Sequence, residues 1–240
     1  MVSWWELNET SGTRYDAHGS NHLTDVNTVG YDTGKQGNAA DFERDNSEYL
    51  TYSGLLGDLD SDFSMSFWVN PETVPPTVLG IFQFFSWWRK SGDDSYFASI
   101  MIGYFAGAKQ LQIYLVGASA VENYYLHSMT AGNWYHIAFV VDVGTGYTLY
   151  INGTSVRTGS APTKKTSSPG AASSFFEIGE SHNWSDVRLG RYYDGLMDEF
   201  GVWSRVLTSD EVTELYNSGN GLSYADTGGT TFTPRVMWWG

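Results

Sequence analysis

Residues 63–70 read Phe63-Ser64-Met65-Ser66-Phe67-Trp68-Val69-Asn70, and this alternation of apolar and polar side chains decides the fold class. Successive side chains of a β-strand point to opposite faces, so Phe63, Met65, Phe67 and Val69 share one face. A helix would distribute the same side chains around its axis, because its period is about 3.6 residues. The stretch therefore predicts a half-buried strand with an apolar inner face.

The same alternation recurs at residues 110–115 and 136–142, which predicts two further strands. Residues 147–151 continue into Asn152-Gly153, the dipeptide that best tolerates the two positive φ angles of a type I′ hairpin turn. Residues 160–174 are rich in Ser, Thr, Pro, Gly and Lys and predict a long surface loop. Helical periodicity is nearly absent from these segments, so they indicate an all-β domain.

A helix-start signal stands near the C-terminus. Residues 208–211, Thr-Ser-Asp-Glu, have the spacing of a capping box, in which the first and last side chains satisfy each other's backbone N–H groups. Val212, Leu215 and Tyr216 follow at helical spacing, and Gly219 is a typical stop signal. The pattern predicts one short C-terminal helix.

Composition limits the classes of partner. The chain has 240 residues, of which 41% are hydrophobic, enough for one domain with a substantial core. Its 27 acidic and 13 basic residues give a formal net charge of -14, which repels nucleic-acid phosphates and anionic lipid headgroups. The absence of cysteine excludes disulfides and thiolate metal sites. No apolar run reaches the roughly 18 residues that span a bilayer, and no secretory signal is recognisable. We therefore expect no nucleic-acid partner and no membrane insertion.

Seven short motifs occur in order along the chain: Trp4-Trp5-Glu6-Leu7-Asn8-Glu9, Tyr15-Asp16-Ala17-His18-Gly19-Ser20-Asn21, Gly37-Asn38-Ala39-Ala40-Asp41-Phe42, Phe67-Trp68-Val69-Asn70-Pro71, Trp134-Tyr135-His136-Ile137-Ala138, Leu149-Tyr150-Ile151-Asn152-Gly153, and Gly195-Leu196-Met197-Asp198-Glu199-Phe200 leading to Trp203-Ser204-Arg205-Val206-Leu207-Thr208. Together they resemble the concanavalin A-like lectin/glucanase superfamily in its laminin G-like branch, over residues 3–224. The resemblance implies an antiparallel two-sheet jelly-roll sandwich over residues 1–224. Residues 225–240 would then form a tail that supplies an edge strand or an assembly contact.

A calcium site is predicted from two acidic positions. Strand alternation would place Asp198 on the same face as Phe200 and Val202, and an inward carboxylate needs a compensating partner. The turn from Asp16 to Asn21 offers several oxygens, the ligand type that calcium prefers. The resemblance implies the same structural calcium, with Asp16, Asn21 and Asp198 as ligands. The alternative is that Asp198 accepts backbone hydrogen bonds from the N-terminal turn without a metal.

The residues around one hydrolase-like motif argue against a catalytic function. Residues 43–48, Glu-Arg-Asp-Asn-Ser-Glu, match the Glu-x-Asp-x-x-Glu signature of laminarinase-type glycoside hydrolases in the same superfamily. That signature works when the carboxylates occupy one face of a buried strand, about 5 Å apart. Here the intervening residues are polar, which indicates a solvated acidic loop. We therefore predict that the chain is not an enzyme.

An aromatic surface is the third candidate site, because sugar rings stack on aromatic side chains while polar groups bind their hydroxyls. The surface would draw on three segments, which contain Trp87, Trp88 and Tyr96, then Tyr124 and Tyr125, and then His182, Trp184, Tyr192 and Tyr193. In a domain this aromatic about half of such residues fill the core instead. Trp88, which precedes Arg89 and Lys90, and Trp184, which lies between Asn183 and Ser185, are the better candidates. The predicted ligand-binding residues are Trp87, Trp88, Tyr96, Tyr124, His182, Trp184, Arg188 and Tyr192.

Two functions compete at this level. The first is a non-catalytic binding or adhesion module that recognises a glycan or glycoprotein surface and contains calcium. The second is a structural or decoration protein of a virion or other extracellular assembly, in which the Trp-rich ends, Trp4-Trp5 and Trp238-Trp239, pack together or join neighbouring subunits. Both place the protein in the extracellular space or on a virion surface. A shared fold does not distinguish between them.

Overall fold

The computed structural model describes residues 1–54, 56–57, 61–73, 81–91, 97–105, 110–116, 120–160, 171–180 and 191–228. The strands in these residues, numbered in chain order, are Ser3–Trp5 (β1), Thr24–Val26 (β2), Gly30–Thr33 (β3), Asn38–Phe42 (β4), Tyr49–Ser53 (β5), Phe63–Pro71 (β6), Ile81–Ser91 (β7), Phe97–Phe105 (β8), Gln110–Val116 (β9), Ala120–Leu126 (β10), Tyr135–Asp142 (β11), Gly146–Ile151 (β12), Thr154–Gly159 (β13), Ala171–Ile178 (β14) and Gly195–Trp203 (β15). One α-helix, Ser209–Tyr216 (α1), follows β15.

The strands form two antiparallel sheets. The first sheet has the order β13-β12-β11-β6-β15-β4-β3, with β1 also pairing with β15. The second sheet has the order β10-β9-β8-β7-β14-β5-β2. This arrangement confirms the predicted all-β sandwich. No helix among the described residues is long and apolar enough to cross a membrane.

The core lies between the two sheets and combines aliphatic side chains with many aromatic rings. Phe63, Met65, Phe67 and Val69 all belong to it, so the alternation of β6 predicts its inner face correctly. The Phe67 ring stacks on Phe200 of β15, with ring centroids 4.7 Å apart and planes 3° from parallel. Burial of large apolar side chains on two facing sheets is the main source of stability in such a sandwich.

Local turn chemistry also agrees with the sequence. Asn152 and Gly153 connect β12 to β13 with φ angles of 50° and 73°, the positive values that the hairpin turn requires. Thr208 and Glu211 form the predicted capping box at the start of α1. The loop prediction is wrong at its end, because β14 begins at Ala171, and residues 161–170 lie outside the described residues.

A smaller apolar cluster seals the outer face of the first sheet. Trp4 and Trp203 meet edge to face at 5.8 Å and pack with Val212 and Leu215 of α1. The neighbouring Trp5 faces the inner core. Trp4 is 1% exposed and Trp5 is 0% exposed, so this pair is internal and offers no free assembly contact. Trp238-Trp239 and the tail beyond Gly228 lie outside the described residues.

Thr208→Ala is expected to lower the free energy of unfolding by about 1 kcal/mol, because it removes the side-chain acceptor of the Glu211 N–H. Denaturant unfolding measures the change. Thr213→Ala is the matched control on the same helix, where the hydroxyl donates only to the Ser209 carbonyl and alanine favours the helix. Equal losses in the two variants would contradict a specific role for the cap.

Candidate functional site

Asp16 organises the N-terminal turn through hydrogen bonds. Its Oδ1 accepts from the N–H groups of Trp4 and His18, both at 3.0 Å, and its Oδ2 accepts from the N–H of Asn21 at 3.1 Å. The Asn21 carbonyl in turn accepts from the Trp5 indole at 2.8 Å. Both carboxylate oxygens of Asp16 are therefore engaged by protein donors.

A β-bulge in β15 determines where Asp198 points. The pairing of β15 with β6 shifts register immediately after Asp198, and Glu199 has a left-handed φ of 51°. Phe200 and Val202 belong to the inner core, whereas Asp198 lies opposite Trp68 on the outer face. The expectation that Asp198 shares a face with Phe200 and Val202 is wrong, because the extra residue of the bulge reverses the alternation.

The bulge buries two adjacent carboxyl groups, with Asp198 0% and Glu199 2% exposed. Oδ2 of Asp198 accepts from the N–H groups of Lys35 at 2.6 Å and Gln36 at 2.9 Å, and Oε2 of Glu199 accepts from the Trp4 indole. The other oxygen of each group is buried without a hydrogen-bond partner in the described residues. Burial raises the pKa of Asp198 to about 7, and burial with repulsion from Asp198 raises the pKa of Glu199 to about 10.

The predicted calcium ligands do not converge in these contacts. Trp5 pairs with Asp16 on one side and with Phe200 on the other, so β1 lies between the N-terminal turn and β15. The donors to Asp198 come from the turn between β3 and β4, not from the N-terminal turn. The bare oxygens of Asp198 and Glu199 are of the type that calcium takes, whereas Asp16 already accepts three N–H groups. The calcium site remains a prediction, and of the carboxylates of Asp16, Asp198 and Glu199, only those at the bulge have an oxygen without a hydrogen-bond partner in the described residues.

A further acidic group has no counterpart in the sequence reasoning. Ligand atoms of Asp41, Glu43 and Glu72 lie within 4.8 Å of one another. Partial burial, followed by repulsion from neighbouring carboxylates, raises the pKa of both Asp41 and Glu72. Asp41 lies in β4, Glu43 directly follows β4, and Glu72 directly follows β6, so no spacing along the chain brings them together.

The segment with the hydrolase-like signature is not a strand. Arg44–Asn46 forms a single turn of 3-10 helix between β4 and β5. Glu48 is only 3% exposed and accepts from the Glu43 N–H at 2.9 Å and the Asn46 side chain at 3.0 Å. The carboxylates of residues 43–48 therefore do not line one face of a strand, although Glu48 is buried and not solvated as expected.

The predicted aromatic surface is described only in part. Trp87 and Trp88 lie in β7 of the second sheet, paired with Phe176 and Phe175 of β14. Tyr124 lies in β10, three strands away in the same sheet. Tyr96, His182, Trp184 and Arg188 lie outside the described residues. Whether these side chains form one surface remains a prediction.

Two adjacent tyrosines differ in their surroundings. Tyr192 is half-buried, with its ring 6.4 Å from that of Tyr49. Tyr193 is 0% exposed and packs edge to face against Phe42 and Phe84. Its hydroxyl donates to the Leu196 carbonyl at 3.2 Å. The expectation that Tyr193 contributes to a binding surface is wrong, because its ring fills the core at the end of the sandwich.

Stability is expected to fall as pH rises, because Asp198 and Glu199 retain protons in the folded chain where unfolded carboxyl groups are ionised. The loss extends from the ordinary carboxyl pKa up to the raised value of about 10 for Glu199. Each such proton contributes a slope of up to about 1.4 kcal/mol per pH unit. Urea unfolding at a series of pH values measures it.

Glu199→Gln should flatten this dependence, because glutamine still accepts from the Trp4 indole but does not titrate. Asp45→Asn is the control, since the Asp45 side chain is 92% exposed and should leave the slope unchanged. If the free energy of unfolding changes with pH by the same amount in the wild type and in Glu199→Gln, the buried pair is not the source of the pH dependence.

Three solved structures are similar to this chain over most of its length. Domain 4 of AbnA, a GH43 extracellular arabinanase from Geobacillus stearothermophilus in complex with arabinotriose, has 22% identity and a TM-score of 0.63, covering 89% of this chain and 96% of that one. The binding domain of Paraclostridial Mosquitocidal Protein 1 has 17% identity and a TM-score of 0.67, covering 91% and 52%. Trypanosoma rangeli sialidase in complex with sialic acid has 14% identity and a TM-score of 0.64, covering 92% and 33%. The chain thus spans about half of the solved mosquitocidal binding domain and a third of the solved sialidase chain.

A search of curated proteins found no match. The laminin G family profile of the concanavalin A-like lectin/glucanases superfamily matches residues 44–213. This range is well over half of the chain and includes every strand from β5 to β15, so it draws on both sheets. The chain therefore belongs to the concanavalin A-like lectin/glucanases superfamily, in its laminin G-like branch.

Proposed function

We propose that this chain is a non-catalytic carbohydrate-binding module that acts outside the cell on a glycan or glycoprotein surface. The observation that carries the proposal is the similarity to domain 4 of the arabinanase, which extends over 96% of that domain and was solved with arabinotriose bound. A match over almost the whole of a solved domain supports the transfer of a role better than a match to a fragment of one. The bound trisaccharide indicates the class of ligand to test.

The charge of the chain agrees with a carbohydrate ligand. A net charge of -14 opposes binding to nucleic acid or to anionic lipid, whereas neutral sugars bind through aromatic faces and uncharged hydrogen bonds. The chain is also rich in aromatic residues, at 16%. Composition therefore favours a glycan over nucleic acid or anionic lipid as the ligand.

The acidic residues that the sequence suggests for hydrolysis are poorly placed for it. Glycosidases position two carboxyl groups across a substrate cleft. Glu48 is buried and engaged by Glu43 and Asn46, and the segment forms a 3-10 turn. Asp198 and Glu199 are adjacent on one strand and buried. These observations support binding without catalysis.

The alternative function, a structural or decoration protein of a virion, has less support than the sequence suggested. That alternative depended in part on exposed Trp-rich ends that could join neighbouring subunits. Trp4 and Trp5, however, are both buried within the sandwich. Their role in the described residues is to close the two apolar clusters. We therefore propose glycan binding in preference to a structural role in a virion.

The wild-type chain is expected to bind at least one oligosaccharide of a panel that includes arabinotriose, and to leave it uncleaved. Calorimetric titration measures binding, and chromatography of the recovered sugar measures cleavage. An unrelated protein that binds no saccharide and has a similar net charge serves as the control for non-specific heat. Absence of binding across a broad glycan array would refute the proposed function, and cleavage products would refute its non-catalytic character.

Structural calcium is part of the proposal. Calcium that binds only the folded chain should raise its melting temperature, and EDTA should reverse the increase. Asp198→Asn is expected to abolish the calcium effect, whereas Glu72→Gln should keep it. Loss of the effect in Glu72→Gln alone would place the ion at the acidic group of Asp41, Glu43 and Glu72. A melting temperature that is the same in calcium and in EDTA would favour the metal-free alternative.

A further inference from the structure

A cleft of about 460 Å³ opens on the outer face of the first sheet, beside the apolar cluster of Trp4 and Trp203. It lies between the hairpin of β12 and β13 and the segment that connects β15 to α1. Its volume falls within the range of roughly 300 to 1,000 Å³ that is typical of small-molecule sites. The residues that line it come from β11, β12, β13 and the connection to α1.

The floor of the cleft is a row of side chains across three strands. Val140 of β11 pairs with Thr148 of β12, which pairs in turn with Thr158 of β13. Residues that lie directly opposite each other project from the same face of a sheet. Tyr150, two positions after Thr148, lines the same cleft, and Val206 forms part of the opposite wall. The cleft thus combines aromatic rings, aliphatic side chains and several hydroxyls.

Several hydroxyl groups in the cleft are available to a ligand. Thr158 and Ser160 are exposed and Thr148 is half-exposed, and none of their hydroxyls makes a hydrogen bond among the described residues. At one end, Asp142 is held in place because it accepts from the Thr145 hydroxyl at 2.9 Å and from the Gly144 N–H at 3.0 Å. A fixed acceptor beside free hydroxyls suits a ligand that has several hydroxyl groups of its own.

The charge of the cleft discriminates between classes of ligand. Among the described residues that line it, Asp142 is the charged one, and none of them is a lysine or an arginine. Arg205, which precedes the wall residue Val206, is held by two hydrogen bonds to Glu211, at 2.6 and 2.8 Å. An anionic ligand would therefore meet a carboxylate without a compensating cation.

We infer that this cleft binds a neutral saccharide. The inference rests on the proposed function and deepens it, since it assigns the site and the charge class of the ligand. Tyr150 and the aliphatic side chains contact the apolar face of a sugar ring, the threonine and serine hydroxyls bind its hydroxyl groups, and Asp142 accepts from one of them. The site lies on the sheet opposite to the one that contains Trp87, Trp88 and Tyr124.

Thr148→Val and Thr158→Val test the site, because each removes a hydroxyl with little change in shape. Each is expected to weaken the binding of arabinotriose by about three- to tenfold, and the double variant by more. Thr154→Val is the matched control, since Thr154 is an exposed threonine of the same strand, β13, and does not line the cleft. Calorimetric titration measures affinity, and thermal unfolding confirms that each variant folds.

The results of these experiments distinguish an error in the assigned site from an error in the proposed function. Binding that survives in the double Thr148→Val, Thr158→Val variant but disappears in Trp88→Ala or Trp184→Ala would overturn the assignment and leave the proposed function intact. Absence of binding by the wild type to any glycan would overturn both. Sialyllactose, used as the anionic probe, is expected to bind at least about tenfold more weakly than a neutral trisaccharide. If sialyllactose and the neutral trisaccharide bind with equal affinity, and Thr148→Val weakens both, the inference that the cleft selects neutral saccharides is refuted.

Discussion

The stacking of Phe67 on Phe200 is the contact on which the rest of the sandwich depends. The two rings belong to β6 and β15, neighbours at the centre of the first sheet. Phe85 and Phe176 of the second sheet meet Phe200 edge to face, at 5.6 and 5.4 Å. These contacts join the two sheets at their centres, and aromatic pairs of this geometry add to the stability gained from burial alone. The outer faces of the two sheets take no part in these contacts.

Strand β15 combines this structural role with an unusual local geometry. Its bulge allows Phe200 to face the core while Asp198 and Glu199 remain buried near the outer face. Lys35 lies over the Trp68 ring at 4.7 Å, and its backbone N–H and that of Gln36 cap Asp198. The turn between β3 and β4 is thus fastened to the central strand by a carboxylate whose second oxygen has no partner in the described residues.

Sequence patterns predict the features that depend on neighbouring residues. The inner face of β6, the Asn152-Gly153 turn and the Thr208 cap all follow from local alternation or turn chemistry. The bulge in β15 is not predictable in this way, because Asp198 and Glu199 are both polar and the alternation shows no break. The cleft and the group of Asp41, Glu43 and Glu72 also escape detection, because each assembles segments that are distant in the chain.

The pairing of β1 with β15 constrains the order in which the domain assembles. The Trp4 indole reaches Glu199, 195 positions further along the chain, and Ser3 pairs with Val202. Contacts over such separations form slowly, because a long segment of chain must first be confined. During synthesis, Trp4 and Trp5 emerge early but have no strand to pair with until β15 is complete. A ribosome-bound chain therefore exposes apolar indole surface until β15 is complete, and such surface in an incomplete domain is prone to aggregation.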